Sequence, residues 1–230
     1  MCGRFEIHSA IEIIAKIFGI DPAIFDITPN YNVAPSQDVA VVVNDGKKKR
    51  LVSCRWGFVP SWSKELKTGI AMINARAETI AASRTFREAF ENQRCLVVAD
   101  GFFEWKKEGR VKKPYYIRAR SGKPLGFAGL YNYWTSPEGQ ELCTTTIITT
   151  DANELILPIH DRMPAITPED YYDFWLDPSH RDREALLAVL KPYPSDQMEC
   201  YPVTSKVNSF KYNDPENIVR IPDAPKLFSE

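Results

Sequence analysis

Cys2 is the first residue whose type and position could carry chemistry. Because residue 2 is small, removal of Met1 is expected, and removal leaves an α-amine and a thiol on adjacent carbons. The amine titrates near ~8 and the thiol near ~8.5, so both are usable nucleophiles at neutral pH. With an aldehyde, the amine forms a Schiff base and the thiol then closes a thiazolidine ring. The same group could also attack an amide bond, or Cys2 could simply be a buried thiol.

Glu104 is a candidate acid or base because it lies between two aromatic residues, Phe103 and Trp105. Burial among such residues disfavours the charged carboxylate and raises its pKa, which suits proton transfer near neutral pH. The alternative is a carboxylate at the edge of the fold that pairs with Lys106 or Lys107.

His160 follows an apolar stretch and stands beside an acid and a base, Asp161 and Arg162. Its side chain titrates where physiological acid–base chemistry occurs, although a single histidine is more often structural. The chain has 3 histidines without i, i+4 pairing and 5 scattered cysteines without a C-x-x-C pair. We therefore predict no metal site, no cofactor and no disulfide framework, and we expect the cysteines other than Cys2 to be small core residues.

Several residues in polar-aromatic segments could contact a nucleic acid. Asn74 offers both hydrogen-bond donors and an acceptor, and Arg76 can grip a phosphate with two hydrogen bonds. Pro35, Trp62 and Trp105 could stack on bases or wedge between them. Each has an ordinary alternative: Asn74 as a helix cap, Arg76 as a solvated side chain, and the aromatic residues as parts of the core.

The net charge of −1 conceals an uneven distribution of charged residues. Residues 1–120 hold 20 basic and 13 acidic side chains, whereas residues 121–230 hold 9 and 17. Residues 106–120 contain seven basic side chains and one acid, Glu108. This segment is either a solvated hairpin or a face that attracts phosphate, and the charge pattern leaves both interpretations open.

The pattern of apolar residues predicts many strands and a few short helices. Residues 9–12 have the capping-box pattern and precede apolar residues at helical spacing, which predicts a helix over about 10–18. Further helices are predicted over 77–92 with an interruption, after a Thr167 N-cap followed by Pro168, and over 181–190. Strands are predicted over Asp38–Val43, Arg50–Phe58, Cys95–Ala99, Tyr115–Ala119, Leu125–Tyr131 and Leu142–Thr149.

We expect a single α+β domain over residues 1–230. Strands and helices do not alternate regularly, which favours antiparallel sheets, as two packed sheets or a partly open barrel, with flanking helices. The sequence has no signal-peptide pattern and no apolar run of ~20 residues. We therefore expect a cytoplasmic protein that neither spans nor binds a membrane. Chemistry is expected in five polar-aromatic loops, at 31–35, 56–62, 74–79, 101–105 and 160–164.

Six short blocks carry a specific resemblance, because they occur in register over nearly the whole chain. They are Met1-Cys2-Gly3-Arg4-Phe5, Tyr31-Asn32-Val33-Ala34-Pro35, Trp56-Gly57-Phe58-Val59-Pro60-Ser61-Trp62, Ile73-Asn74-Ala75-Arg76-Ala77-Glu78-Thr79, Ala99-Asp100-Gly101-Phe102-Phe103-Glu104-Trp105 and Ile159-His160-Asp161-Arg162-Met163-Pro164. Together with Val207-Asn208, they resemble the SOS-response-associated peptidase family, also called the abasic-site processing family.

The resemblance implies covalent capture of abasic sites in single-stranded DNA, where the deoxyribose opens to an aldehyde. It implies that Cys2 forms the Schiff base and thiazolidine, that Asn74 positions the α-amine and the sugar, and that Glu104 is the acid and base for linkage and reversal. His160 would protonate groups around the sugar and support strand scission. The implied DNA contacts are Arg4, Arg76 and Arg162 on flanking phosphates, Asn32 and Thr149 as lesser contacts, and Pro35, Trp62 and Trp105 around the bent strand.

The resemblance also implies a monomeric DNA-repair protein that associates with the nucleoid through abasic single strands or single-strand/duplex junctions. Three alternatives stay open. The first is a cysteine peptidase limited to removing its own Met1, and the second is an N-terminal-nucleophile glutamine amidotransferase, since those enzymes also begin with Met-Cys-Gly. The third is a DNA-binding adaptor in which Cys2 is incidental.

Overall fold

The strands of the protein form two sheets, one of five strands and one of eight. The computed structural model describes residues 2–22, 27–66 and 72–222. The strands are β1 (Phe5–Ile7), β2 (Asn30–Val33), β3 (Asp38–Asn44), β4 (Lys49–Trp56), β5 (Asn74–Arg76), β6 (Arg94–Ala99), β7 (Gly101–Glu108), β8 (Val111–Ala119), β9 (Leu125–Thr135), β10 (Glu141–Asp151), β11 (Arg162–Pro164), β12 (Ile166–Thr167) and β13 (Met198–Pro202).

The helices are short and lie beside the sheets. They are α1 (Ile11–Phe18), α2 (Ala77–Ile80), α3 (Arg87–Asn92), α4 (Tyr172–Leu176) and α5 (Arg183–Val189). Single 3-10 turns occur at Glu169–Tyr171, Ser195–Gln197, Ser205–Asn208 and Pro215–Ile218.

Five strands of the larger sheet close into a ring, in the order β10, β4, β3, β6, β9 and back to β10. All of these neighbours are antiparallel except β4 and β10, which run parallel. The strand β5 continues along the same edge of β10 after β4 has ended. β4 and β5 therefore pair with successive parts of β10, and the described residues 57–66 and 72–73 lie between them in sequence.

The five-stranded sheet has the order β13-β8-β7-β1-β2 and packs on the ring through aromatic side chains. Phe5 of β1 lies 5.1 Å from Trp56 and 6.1 Å from Phe127, measured between ring centroids. Phe102 of β7 contacts the same Phe127 at 5.9 Å. Each buried aromatic side chain contributes roughly 1.5–3 kcal/mol, so this cluster fixes the position of the N-terminal strand.

The opposite face of this sheet is covered by the segment 203–218. Phe103, Tyr116, Tyr201, Val203 and Val207 form a small second core there. Gly101 is required at its edge, because a Cβ atom at that position would lie 2.5 Å from the Tyr116 ring. The tight packing brings the strand that carries Glu104 close to the C-terminal segment.

The predicted strands and the first helix are confirmed, while the two predicted N-caps, Ser9 and Thr167, are wrong. α1 begins after Ala10 and has no side-chain cap, because the Ser9 hydroxyl donates to the Asp100 carboxylate instead, as does the Ser9 backbone N–H at 2.7 Å. The turn after Thr167 begins at Pro168, again without a side-chain cap. The long helix predicted over 77–92 is interrupted, as expected, and appears as α2 and α3.

All five predicted loops lie partly or wholly in strands. Residues 31–33 belong to β2, Trp56 ends β4, residues 74–76 form β5, residues 101–105 belong to β7 and residues 162–164 form β11. These stretches are short or mix polar residues with adjacent aromatic ones, so they show no alternating apolar pattern.

The prediction of no disulfide is also wrong, because Cys54 and Cys143 are bonded. Cys54 lies on β4 and Cys143 on β10, where the parallel pairing of the two strands places these residues side by side. Cys2, Cys95 and Cys200 are free thiols, as predicted.

Among the residues described, no helix has the length and apolar character required to cross a membrane.

Candidate functional site

Cys2 lies just before β1, beside the strand that carries Glu104. Phe5 pairs with Phe102, and the backbone N–H of Phe103 donates to the Arg4 carbonyl at 3.0 Å. Continuing this antiparallel register brings the N-terminal residues alongside residues 104–105. Cys2 is fully buried, so its thiol is shielded from bulk water.

Asn74 holds the backbone of Cys2 through its side-chain amide. Its Nδ2 donates to the Cys2 carbonyl at 2.8 Å. The residue is itself positioned by β5, where the preceding carbonyl of Ile73 accepts from Trp56 Nε1 at 2.9 Å and from the Ile147 N–H at 3.0 Å. The Asn74 Oδ1 atom is buried and accepts no hydrogen bond from the part of the chain that the structure describes. This acceptor is available for a donor next to Cys2.

Glu104 is buried, which is one of the two environments that the sequence left open. Its side chain is 3% exposed, and burial raises the pKa of its carboxyl group from 4.5 to about 7. Burial and then the nearby Glu104 carboxylate raise the pKa of the Cys2 thiol well above its ordinary range. At neutral pH the pair therefore consists of a protonated thiol and a carboxyl group that can both give and take a proton.

His160 follows a turn that begins near Asn153 and stands just before β11. Its Nδ1 atom accepts a hydrogen bond from the Arg162 backbone N–H at 3.0 Å. Burial lowers the pKa of the imidazole, which favours the neutral form. With Nδ1 accepting this hydrogen bond, the neutral ring carries its proton on Nε2, whereas a protonated ring would pair with Asp161, whose Oδ1 lies 3.0 Å from Nδ1.

A cavity of about 400 Å³ joins three of the predicted site residues. Its walls include Glu104, Trp105 and His160, which come from β7 and from the turn before β11. Lys112 of β8 and Asn208 of the C-terminal segment complete the lining. Neither was assigned a role from sequence, although Lys112 belongs to the basic segment 106–120 and Asn208 to one of the resemblance blocks.

Arg4 and Asn32 hold the C-terminal segment against the sheet. Arg4 Nη1 donates to Asn32 Oδ1 at 2.6 Å and to the Val207 carbonyl at 2.9 Å. Asn32 is buried, and its Nδ2 donates to the carbonyls of Val207, Ser209 and Tyr212. Their predicted contacts with DNA stay predictions, and in the structure both side chains serve the fold.

Trp105 is fixed in place from two sides. Its Nε1 donates to Asn208 Oδ1 at 2.7 Å, and the Arg4 guanidinium lies 5.8 Å from its ring centroid. The half-buried indole therefore forms a rigid wall of the cavity, as a platform for a base or sugar requires.

Arg162 is held in an ion-pair network at the other side of the site. Its two terminal nitrogens contact the Glu78 carboxylate at 2.7 and 3.0 Å, and Nη1 also contacts Asp151 at 2.7 Å. Nη2 donates to the Thr149 carbonyl at 2.7 Å, while the Thr149 side chain is buried against Ala75. A phosphate at Arg162 would therefore compete with two carboxylates, and direct DNA contacts of both residues stay predictions.

The remaining predicted DNA contacts are Arg76, Trp62 and Pro35, of which the first two are exposed. Arg76 is exposed at the end of β5, and its side chain makes no ion pair within the described residues. Trp62 is 64% exposed on the segment after β4. That segment is anchored by the Val59 carbonyl, which accepts from Asn132 Nδ2 at 2.8 Å. Pro35 is half-buried in the turn between β2 and β3.

The chain has close relatives in bacteria. A family model for SOS response associated peptidase (SRAP) matches residues 1–210. Abasic site processing protein YoqW of Bacillus subtilis is 46% identical over 221 residues, covering 95% of this chain and 99% of that protein. Abasic site processing protein YedK of Escherichia coli is 31% identical over 226 residues, covering 95% and 99%.

A solved structure supports the same relationship. The crystal structure of a protein from Bacteroides thetaiotaomicron matches with a TM-score of 0.82 and 29% identity, covering 96% of this chain and 100% of that one. The predicted α+β fold with two sheets is confirmed by this match. The chain belongs to the SOS response associated peptidase family.

Proposed function

We propose that the protein captures abasic sites in single-stranded DNA by bonding the ring-opened sugar to the aminothiol of Cys2. The name of its relatives, abasic site processing proteins, supports the class of substrate. One observation carries the chemistry: Cys2 is buried, held by Asn74 at 2.8 Å, and lies beside a carboxyl group whose pKa is about 7.

The reaction requires the free α-amine of Cys2 and hence removal of Met1, which lies outside the described residues. The amine attacks the C1′ aldehyde, and the resulting carbinolamine loses water to give a Schiff base. The thiol sulfur then adds to the same carbon, and its proton moves to the nitrogen as the thiazolidine closes. One C–N and one C–S bond form and one water leaves, so no oxidant or reductant is required.

The raised pKa of the Cys2 thiol sets the order of these steps. A protonated thiol is a weak nucleophile, so the amine reacts first and the Schiff base then supplies a stronger electrophile for sulfur. Glu104 gives a proton to the leaving hydroxyl group and takes one from the thiol, for which a pKa of about 7 is suitable. The same proton transfers in the opposite direction reopen the thiazolidine ring.

Asn74 and His160 orient the two partners of the reaction. The buried Oδ1 of Asn74 accepts from the Cys2 α-amine and directs its lone pair to the aldehyde. His160, with its proton on Nε2, donates to an oxygen of the opened sugar. If the reaction stops at the Schiff base, loss of a sugar proton leads to strand scission, which gives the protein a lyase activity.

DNA is held by phosphate contacts and by stacking on both sides of the lesion. Arg76 is the most accessible arginine at the site, with Arg4 and Arg162 as further phosphate contacts, while Trp62 and Trp105 support the bent strand. Such binding depends on salt and little on sequence. We propose that the protein acts as a cytoplasmic monomer that joins the nucleoid at damaged single strands or junctions.

The test uses a single-stranded oligonucleotide in which excision of one uracil has left an abasic site. Protein with a native N-terminus is mixed with this strand and analysed on a denaturing gel, beside Cys2→Ala and an undamaged strand. We expect a heat-resistant shifted band only with native Cys2 and the lesion.

The Cys2→Ala protein is the matched control, because the substitution removes the thiol and retains a small residue at the N-terminus. A band of equal intensity with Cys2→Ala would contradict the role of the thiol. Absence of a band from protein whose mass shows that Met1 is removed would contradict the whole proposal and direct attention to peptidase and glutaminase assays.

A further inference from the structure

The hairpin formed by β7 and β8 extends past the N-terminal strand and carries positive charge. β1 pairs with β7 only at residues 101 and 102, whereas the pairing of β7 with β8 continues to Glu108 and Val111. Residues 106–113 at the outer end contain five basic side chains and one acidic one, in a chain whose net charge is −1. We call residues 106–113 the basic arm.

The register of the basic arm places its lysines in two cross-strand pairs. Lys107 is directly opposite Lys112, and Lys106 is directly opposite Lys113. Because side chains alternate along a strand, Lys107 and Lys112 lie on the same face as Trp105. Like charges directly opposite each other repel, so each pair costs stability unless a neighbour offsets it.

The two pairs differ in how this repulsion is offset. Lys106 contacts Glu108 at 3.3 Å, and Lys113 lies 5.5 Å from the centroid of the Tyr115 ring. Lys107 and Lys112 are both exposed and have no ion pair with any acid in the described ranges 2–22, 27–66 and 72–222. The pair on the Trp105 side is therefore the one whose charges are not compensated by an acid of the described residues.

The position of this pair indicates its ligand. Lys112 lines the same cavity as Glu104, Trp105 and His160. The paired part of the arm extends about 10 Å beyond Trp105, from residue 105 to the last pair at Glu108 and Val111. This length corresponds to about three phosphates of a nucleic-acid strand at ~3.4 Å each. A polyanion that leaves the cavity along this face would neutralise both lysines.

We propose that Lys107 and Lys112 bind the phosphate backbone of the strand that flanks the lesion, at the point where it leaves the cavity. This inference rests on the proposed function, since it names the surface that the flanking strand follows. The arm thereby adds affinity for long strands without contacting the reacting atoms.

The experiment measures equilibrium binding by fluorescence anisotropy over a range of salt concentrations. The probes carry a tetrahydrofuran analogue of the abasic site, which has no aldehyde, in strands of about 5 and about 20 nucleotides. Each contact with a single-strand phosphate contributes about 0.7 to the slope of log K against log salt. Replacing both lysines, Lys107→Gln with Lys112→Gln, should therefore reduce the slope on the long strand by about 1.4.

The matched control is Lys47→Gln with Lys48→Gln, which removes the same charge from two exposed lysines between β3 and β4. We expect this control to keep the slope of the wild-type protein, and the loss in the arm variant to be larger on the long strand than on the short one. An unchanged slope in the arm variant, or an equal loss in the control, would overturn the inference.

A parallel adduct assay on an abasic strand separates this inference from the proposed function. If wild-type protein forms the adduct while the arm variant keeps its slope, only the inference about the arm fails. If wild-type protein forms no adduct, the proposed function fails, and the anisotropy with the unreactive probes still decides whether the arm binds DNA.

Discussion

At the scale of single residues, the chemistry depends on the burial of Glu104. A carboxyl group in water has a pKa near 4.5, and its environment in the protein raises this to about 7. The folded protein therefore binds the proton more tightly than the unfolded chain does. Below pH 4.5 both states are protonated, and as the pH rises towards 7 the unfolded chain ionises first. The free energy of unfolding consequently falls by about 3 kcal/mol in total as the pH rises from 4.5 to 7.

We predict that Glu104→Gln removes this loss, because glutamine is neutral at every pH. The melting temperature of the variant, relative to that of the wild-type protein, should rise between pH 5 and pH 8. Thermal unfolding at several pH values measures the difference. In the same protein, adduct formation or reversal should be slower. A stability difference that does not change with pH would show that Glu104 has an ordinary pKa.

At the scale of secondary-structure elements, an ion pair between Arg162 and Glu78 joins β11 to α2. Its guanidinium makes two contacts with Glu78 and one with Asp151, so phosphate binding must break part of this network. We predict that Glu78→Gln makes Arg162 more available and increases the slope of log K against log salt by up to about 0.7. Anisotropy with the unreactive abasic probe measures this slope.

The double variant Glu78→Gln with Arg162→Ala is the control for this interpretation. If Arg162 is the group released, the gain should disappear in the double variant, as in a double-mutant cycle. A gain that persists without Arg162 would assign the effect to the lost negative charge of Glu78 alone.

A second arginine, Arg94 at the start of β6, joins the helices to the ring. It is buried and donates to backbone carbonyls in and after α3 and α4, namely those of Phe90, Glu91, Trp175, Asp177 and His180. Arg94→Met would leave these carbonyls without a donor and should reduce the free energy of unfolding by roughly 3 kcal/mol or more.

Chemical denaturation measures the loss caused by Arg94→Met. The control is Arg87→Gln, at an exposed arginine of α3, which should change stability by less than about 0.5 kcal/mol. Equal effects of the two substitutions would contradict the structural role of Arg94.

The elements that sequence predicted are those with a local apolar pattern. β3, β4, β6, β9, β10 and α1 were found within a few residues because their alternation or helical spacing reflects burial. β5 and β11 have three residues each and exist through pairing with β10, which no local pattern encodes. The Cys54–Cys143 bond likewise joins residues 89 positions apart and depends on the parallel contact of β4 with β10.

At the scale of the whole molecule, the site is assembled from segments that are far apart in sequence. β5, which pairs with β10 of the ring, supplies Asn74, the five-stranded sheet supplies Glu104, and the turn before β11 supplies His160. Cys2 lies beside them, with its carbonyl bound to Asn74. The resemblance could name these residues, because it compares whole motifs. It could not predict that Arg162 is engaged by carboxylates, since those contacts depend on side-chain positions in the folded protein.

The most direct test of the central claim is the intact mass of the adduct between the protein and an abasic strand. We predict the mass of the chain without Met1, plus that of the strand, less one water. Fragmentation should place the bond at Cys2, and treatment with borohydride should leave the mass unchanged, because a closed thiazolidine has no C=N bond to reduce. An adduct that retains Met1, lies at another residue, or gains two hydrogens with borohydride would contradict thiazolidine formation at Cys2.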